Sequence, residues 1–313
     1  MKFTIGIPAF KATFLKECID SVLSQTYTNF EIVIVNDASP ENLDTIVETF
    51  HSDKIKYVRN EKNFGAINVV DNWNKCLSYA TGDFFILMGD DDKMAPNYLS
   101  EFVNLIQKYP ACGVYHCRTL IINEKSEPIR LTEPRPEFES VYDSILERMR
   151  GTRLFFISDY VYRTETLREN NGFYKLPLAW ASDDISSYIA AHKNGIAHTN
   201  EPVFMYRQNP LTISSTGNIN IKMDAIMQEG KWLQNFVAEN PENTIDKLIR
   251  TSIQQELKLF IQKKKIRTIY SGDTSIGAFI KWFTVRKKYQ LSIPEIIYAV
   301  ILSLKEKSKV RYE

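Results

Sequence analysis

The sequence is poor in the residues that mark special structural classes. Among its 313 residues there are only four cysteines, Cys18, Cys76, Cys112 and Cys117, and four histidines. The cysteines are scattered except for one C-x4-C pair, and no histidine stands at zinc-finger spacing from it. That argues against a disulfide framework or a structural zinc site and for reduced core thiols. Glycine and proline number 12 each, too few for a collagen-like or low-complexity chain. No apolar stretch approaches the roughly 20 residues of a membrane-spanning helix. The opening run Phe3–Ile7 is too short for a secretory leader, so the expected location is cytoplasmic. A phosphate-cradling G-x-x-x-x-G-K-S/T loop and a G-x-G-x-x-G turn are both missing, which removes the two commonest glycine-based nucleotide sites. Net charge is nearly absent too, at +1, but residues 263–313 carry 12 basic against 4 acidic side chains, a net of +8, leaving −7 for the rest.

What is present is a regular alternation. Short apolar runs at Phe3–Ile7, Glu31–Asn36, Lys54–Val58 and Phe84–Met88 read as strands, and 14–25, 65–80 and 96–109 carry helical periodicity. Ser39-Pro40-Glu41 reads as the cap and first turn of a further helix. Strands alternating with helices predict an α/β fold with a mostly parallel, Rossmann-like sheet flanked by helices. Beyond Cys112 the pattern turns to strand-like stretches at 112–122 and 154–162, separated by a Pro- and charge-rich surface loop at 123–139. A helix at 184–194 and an extended piece at 202–207 follow, and 219 onward is mainly helical.

In such a sheet, ligands bind beyond the carboxyl ends of the strands. Those ends carry Pro8-Ala9-Phe10, Asn36-Asp37, Arg59-Asn60-Glu61-Lys62-Asn63 and Gly89-Asp90-Asp91-Asp92. Three adjacent carboxylates repel one another unless a cation neutralises them. Mg²⁺ or Mn²⁺ suits that role, with phosphate oxygens and water completing its shell. A metal–diphosphate site is the expectation, in a reaction where a nucleoside diphosphate departs.

The ordered set Phe3–Phe10, Ser21–Ser39, Asn63-Phe64-Gly65, Gly82-Asp83 and Asp90-Asp91-Asp92 resembles the nucleotide-sugar half of family 2 glycosyltransferases of the GT-A fold. The resemblance covers about the first 110 residues. It implies that Pro8, Ala9 and Phe10 line the base pocket, Asp37 accepts from the uracil imide, and Asn63 and Gly65 flank the nucleotide-facing loop. Asp90 would meet the ribose and Asp91 the metal, with Asp92 the alternative ligand. The sequence departs from the family pattern at Gly89, where an aspartate is commoner, and at Lys11, where asparagine is usual.

In the second half, Ser182-Asp183-Asp184 resembles the family's acidic pair, and the eleven-residue step from Asp184 to Gly195 agrees. The resemblance makes Asp184 the general base and Asp183 its neighbour, with Trp180 a sugar-stacking surface. A hydroxyl acceptor needs such a base, because it attacks well only as its proton is removed. Glu201–Pro210 resembles the segment that brings a basic residue to the leaving diphosphate. Arg207 takes that part, and Asn209 stands where a histidine is frequent. His192 and His198 read as structural.

The expected organisation is a glycosyltransferase domain over 1–215, divided near residue 110, and a helical basic region over 216–313. In the tail, Lys263–Lys265, Arg267 and Arg286–Lys288 interleave with Phe279, Ile280, Trp282 and Phe283. That suits an interfacial helix on anionic lipid, giving a peripheral place on the inner face of the cell membrane, or else a packing appendage whose charges face water. The expected activity is metal-dependent, inverting transfer from a nucleotide-diphosphate sugar, UDP-linked, to a glycan or lipid-linked acceptor in cell-surface polysaccharide synthesis. The acidic body argues against nucleic acid. Two alternatives stay open: a nucleotidyltransferase, and a non-catalytic sugar-nucleotide-binding relative.

Overall fold

The computed structural model describes residues 1–208, 218–272 and 276–310, with 276–279 and 304–310 as backbone only. Four strand–helix units open the chain: β1 (Phe3–Ala9), α1 (Leu15–Leu23), β2 (Phe30–Asn36), α2 (Leu43–Glu48), β3 (Ile55–Arg59), α3 (Val69–Ser78), β4 (Phe84–Leu87), β5 (Lys93–Met94) and α4 (Tyr98–Lys108). The second half adds β6 (Val114–Ile122), β7 (Pro128–Leu131), β8 (Phe138–Glu139), α5 (Val141–Arg150), β9 (Tyr160–Arg163), α6 (Thr164–Glu169), α7 (Ser182–Ala191) and β10 (Ile196–Arg207). Four further helices follow, α8 (Ile219–Phe236), α9 (Thr244–Tyr270), α10 (Ile276–Val285) and α11 (Ile293–Val310).

One sheet runs in the order β3-β2-β1-β4-β9-β6-β10-β5, with β7 on β6 and β8 on β10. The first four strands are parallel, as their apolar character on both faces requires, whereas β9 joins β4 to β6 by antiparallel pairing. Apolar layers cover both faces. On one, Ile5, Ile7, Ile32 and Ile34 meet Leu15, Ile19 and Phe102; on the other, Val33, Val35, Phe85 and Tyr160 meet Trp73, Tyr188 and Leu233. Gly6 permits the second contact, because a Cβ there would lie 2.6 Å from the Phe85 ring. Met223, Ile226, Ile253 and Leu257 belong to that same layer, so the C-terminal helices are docked on the sheet's own core. The boundary expected near 215 falls at 209–217, outside the described residues.

Several local expectations are corrected. Helix α2 starts at Leu43 with Asn42 as its cap; Ser39 Oγ accepts the Glu41 N–H (3.0 Å) and donates to the Phe10 carbonyl (2.5 Å), closing a turn ahead of the helix. Residues 123–139 are no free surface loop: they hold β7 and β8, and Arg135 is buried under them with its guanidinium donating to the Leu154 carbonyl (2.6 Å). Of the strand expected at 154–162 only β9 is formed, preceded by a 3-10 turn at Ile157–Asp159. All four cysteines are buried and unpaired. Among the described residues no helix is long and apolar enough to cross a membrane.

Candidate active site

Because β1 to β4 are parallel, the loops that follow them leave the sheet on one side. The Asp37 N–H donates to the Ala9 carbonyl (2.9 Å), tying the second loop to the first. Its Oδ1 accepts from Asn60 Nδ2 (2.9 Å) and the Phe64 N–H (3.0 Å), which draws in the third loop. Pro8 is half-buried and Phe10 exposed, but the Ala9 methyl lies in the core, so Ala9 reaches this edge through its backbone alone. Asn63 and Gly65 are exposed; Asn63 Oδ1 accepts the Gly65 N–H, and Gly65 has φ +74°, a conformation that favours glycine.

The turn after β4 brings the aspartates against these loops. Asp90 Oδ2 accepts the Phe10 and Lys11 N–H groups (2.7 and 2.9 Å), so this carboxylate braces the β1 loop. Burial and the neighbouring charge of Asp91 raise its pKa to about 6. Asp92 is buried; its Oδ1 accepts the Arg207 N–H (2.8 Å), and Oδ2 lies 3.4 Å from Ser158 Oγ. Burial, then the Asp91 charge, pushes its carboxyl well above the ordinary range. Asp91 is also raised by burial, against the pull of Lys11, its own backbone N–H and Arg207. Gly89 makes this packing possible, since a Cβ there would lie 2.7 Å from Asp92 Oδ2 and 3.2 Å from Asp91 Oδ1.

Among the described residues, no three His, Cys, Asp or Glu side chains form a ready-made metal site. Crowded carboxyls whose charged forms are all disfavoured nonetheless fit a hard cation that takes one or two of them and fills its shell with phosphate and water.

Arg207 sits differently from the sequence expectation. It is 0% exposed, and its donors go to the Asp91 carbonyl (2.8 Å), the Asn123 and Glu124 carbonyls, Ser126 Oγ and Glu17 Oε2 (3.0 Å). Its guanidinium also lies 4.1 Å from the Phe14 ring centroid. In place of an arginine held out to a departing diphosphate there is an internal clamp on the aspartate turn. Asn209 lies outside the described residues.

The second acidic pair follows a strained turn. Leu178, Ala179 and Ala181 have φ of 60°, 52° and 66°, a region costing non-glycine residues about 1–3 kcal/mol each. Ala181 takes the cap position; the buried Ser182 hydroxyl accepts the Leu176 N–H (3.0 Å) and Ser186 Oγ accepts the Tyr174 N–H (2.9 Å), pinning the turn. Asp184 is buried, its Oδ2 3.1 Å from Arg148 Nε and its Oδ1 without a partner. Asp183 is the more exposed of the two and its Oδ1 accepts the Asp184 N–H (2.9 Å). Burial and the Asp184 charge, offset in part by Arg148, raise the pKa of Asp183 to about 7. Trp180 is half-buried, its ring centroid 5.1 Å from Lys222 Nζ.

Residues 4–162, just over half of the chain, match the sequence profile of Glycosyl transferase family 2. The chain belongs to that family. An uncharacterized glycosyltransferase of Rickettsia typhi is 32% identical over 133 residues, 42% of this chain and 40% of that protein. One from a Nostoc species is 28% identical over 216 residues, 66% and 65% of the two chains. The match thus spans about two fifths of the length of the Rickettsia relative. Among solved structures, S. aureus TarS 1-349 in complex with UDP-GlcNAc superposes with TM-score 0.67 at 15% identity over 99% of this chain and 92% of that one. Mannosyltransferase PcManGT from Pyrobaculum calidifontis in complex with GDP-Man and Mn²⁺ gives TM-score 0.58 at 17% identity over 98% and 88%. At those identities the likeness is one of fold, and the fold is GT-A.

Three residues of this family 2 site escaped the sequence reading. Ser158 accepts the Gly89 N–H (3.0 Å) and touches Asp92 from the turn before β9. Arg148 orients Asp184 from the last turn of α5, and Glu17 on α1 partners Arg207. No local signal marks them, since each acts on a residue at least 36 positions away.

Proposed function

We propose that the chain transfers a sugar from a nucleotide-diphosphate sugar, UDP-linked, to a hydroxyl of a glycan or lipid-linked acceptor, with inversion at the anomeric carbon. The observation that carries this reading is the polar edge at the ends of the first four strands, where the β1 loop is tied to Asp37, itself bonded to Asn60, on one side and to Asp90 on the other. Asp37 and Asn60 would read the base between Pro8 and the exposed Phe10. Asp90 would reach the ribose with the oxygen not used for the β1 loop. Asp91, with Asp92 behind it, would hold a divalent cation. Such a cation supplies charge neutralisation for the diphosphate. Arg207 is a positioning residue that fixes Asp91 and Asp92.

For the base, the expectation from sequence was Asp184 with Asp183 beside it. Burial and the Arg148 pairing favour exchanging the two roles. A base should be reachable and have a pKa near the working pH, and Asp183 meets both conditions. Asp184 keeps that pKa high by like-charge repulsion. The acceptor oxygen forms its bond to the anomeric carbon as the bond to the diphosphate oxygen breaks, and the proton passes to Asp183. The basic tail favours an acceptor carried at an anionic membrane, as in cell-surface polysaccharide synthesis.

The test is release of nucleoside diphosphate from a panel of nucleotide sugars, with and without Mn²⁺ or Mg²⁺. Cation-dependent release that falls on Asp91→Asn supports the reading. Tight UDP binding with no release under any condition would instead favour a non-catalytic relative, and pyrophosphate formed from a nucleoside triphosphate and a sugar phosphate would favour a nucleotidyltransferase.

A further inference from the structure

The tail's surface is not the one its sequence suggests. Trp282 is buried against Tyr289, with ring centroids 6.0 Å apart. Lys265 is buried and donates to the Tyr289 carbonyl (2.9 Å), Lys264 pairs with Glu229 (2.6 Å) and Lys288 with Asp224 (2.7 Å). Phe279 lies outside the described side chains. Lys264, Lys265, Trp282 and Lys288 therefore dock the helices.

A different face is left open. Helix α11 starts at a capping box, in which the Ser292 N–H donates to Glu295 Oε2 (2.6 Å) and the Glu295 N–H to Ser292 Oγ (3.4 Å). It buries Ile296, Ala299 and Ser303, which share one side, and packs on α9. Ile293, Ile297 and Ile301, spaced by four, and Tyr298 are exposed at 44%, 49%, 45% and 53%. At 100° per residue these four span about 140° of the helix, an arc that also holds Pro294 and, before Lys305, no charged residue. On the neighbouring α10, Ile280 and Phe283 are exposed too, at 60% and 39%. Between Ile276 and Ser303 the sequence has Lys281, Arg286 and Lys287, besides the Lys288 that Asp224 pairs, against a single acid, Glu295, which the capping box uses.

We propose that the exposed arc of α11, with Ile280 and Phe283, is a docking face for an anionic lipid bilayer. An apolar arc that carries no charge from Ile293 to Ser303 suits the boundary between headgroups and acyl chains, and tyrosine is at home there. Flanking cations select anionic headgroups. Charge also decides between occupants. A second copy would bring an equally cationic face against the first, and a nucleic acid would leave the isoleucines in water. This deepens the reading of the tail and not of the sugar chemistry, so lipid binding can fail while diphosphate release stands.

The experiment is vesicle flotation of the full-length protein, with vesicles of neutral phosphatidylcholine and vesicles containing about one-third phosphatidylglycerol. The variant is Ile297→Ser/Ile301→Ser, checked for an unchanged thermal midpoint and unchanged UDP affinity. The expected result is flotation with anionic vesicles, weakened by salt, little with neutral ones, and a loss of about tenfold or more in the variant. Equal flotation of variant and wild type, or no flotation of the wild type, overturns the proposal. So does a wild-type dimer in light scattering that the variant abolishes, since the arc would then be a contact between copies.

Discussion

At the end of β4 the carboxylates are held by backbone N–H groups and by an arginine that crosses from β10; at the start of α7 they are held by a strained turn and one arginine from α5. The first arrangement fixes three acids in a place where all their pKa values rise, which suits a cation that arrives with its substrate. The second separates two acids by burial, one paired with Arg148 and one more exposed with a pKa of about 7. On the proposed reading, one side neutralises charge and the other takes a proton. The acidic pair and the acidic triplet thus differ less in composition than in what surrounds them.

Breaking the donor side should have the largest effect. Asp91→Asn is expected to lower diphosphate release by about a thousandfold while leaving the fold intact, as measured by turnover beside thermal melting. Next comes Asp183→Asn, expected to cost about a hundredfold in kcat with nucleotide affinity retained. The same variant should melt higher at alkaline pH. A carboxyl whose folded pKa is raised stabilises the protein below its unfolded value, and that contribution is lost as pH rises through about 7; the amide escapes the loss.

Asp184→Asn sharpens the contrast between neighbours. Removing its negative charge, and leaving Arg148 unpaired, lowers the pKa of Asp183, so the acid limb of the rate–pH profile should move below 7 by about one unit. A profile unmoved by this change would mean the two carboxyls are not coupled. Smallest is Ser158→Ala, which deletes the hydroxyl that serves Gly89 and Asp92. A loss of about 1 kcal/mol in stability and a several-fold higher KM for the nucleotide sugar, with kcat little changed, are expected.

Much of the parallel half was legible because its strands are apolar on both faces and its helices carry a clear stripe, properties local to each segment. The two-residue β5 was not, since it exists only by pairing with β10 more than a hundred residues later. Ser39 does accept the Glu41 N–H as a cap would, but the helix proper begins three residues later on Asn42. The aspartates after β4 and in the first turn of α7 could be found by position, but their partners could not. Arg207 looked available on the page, whereas Glu17, 190 positions away, and two carbonyls after β6 absorb its donors. Trp282 looked exposed beside its lysines until Tyr289 was seen to cover it. Burial of a charged or aromatic side chain depends on which distant element arrives, and no local pattern records that.

The most direct test of the central claim is the rate of nucleotide-sugar turnover as a function of pH for wild type and Asp183→Asn. The account predicts a wild-type rate that rises through a midpoint near 7 to a plateau, and a low, pH-independent rate in the variant. A variant that keeps the full plateau and the same midpoint would contradict it.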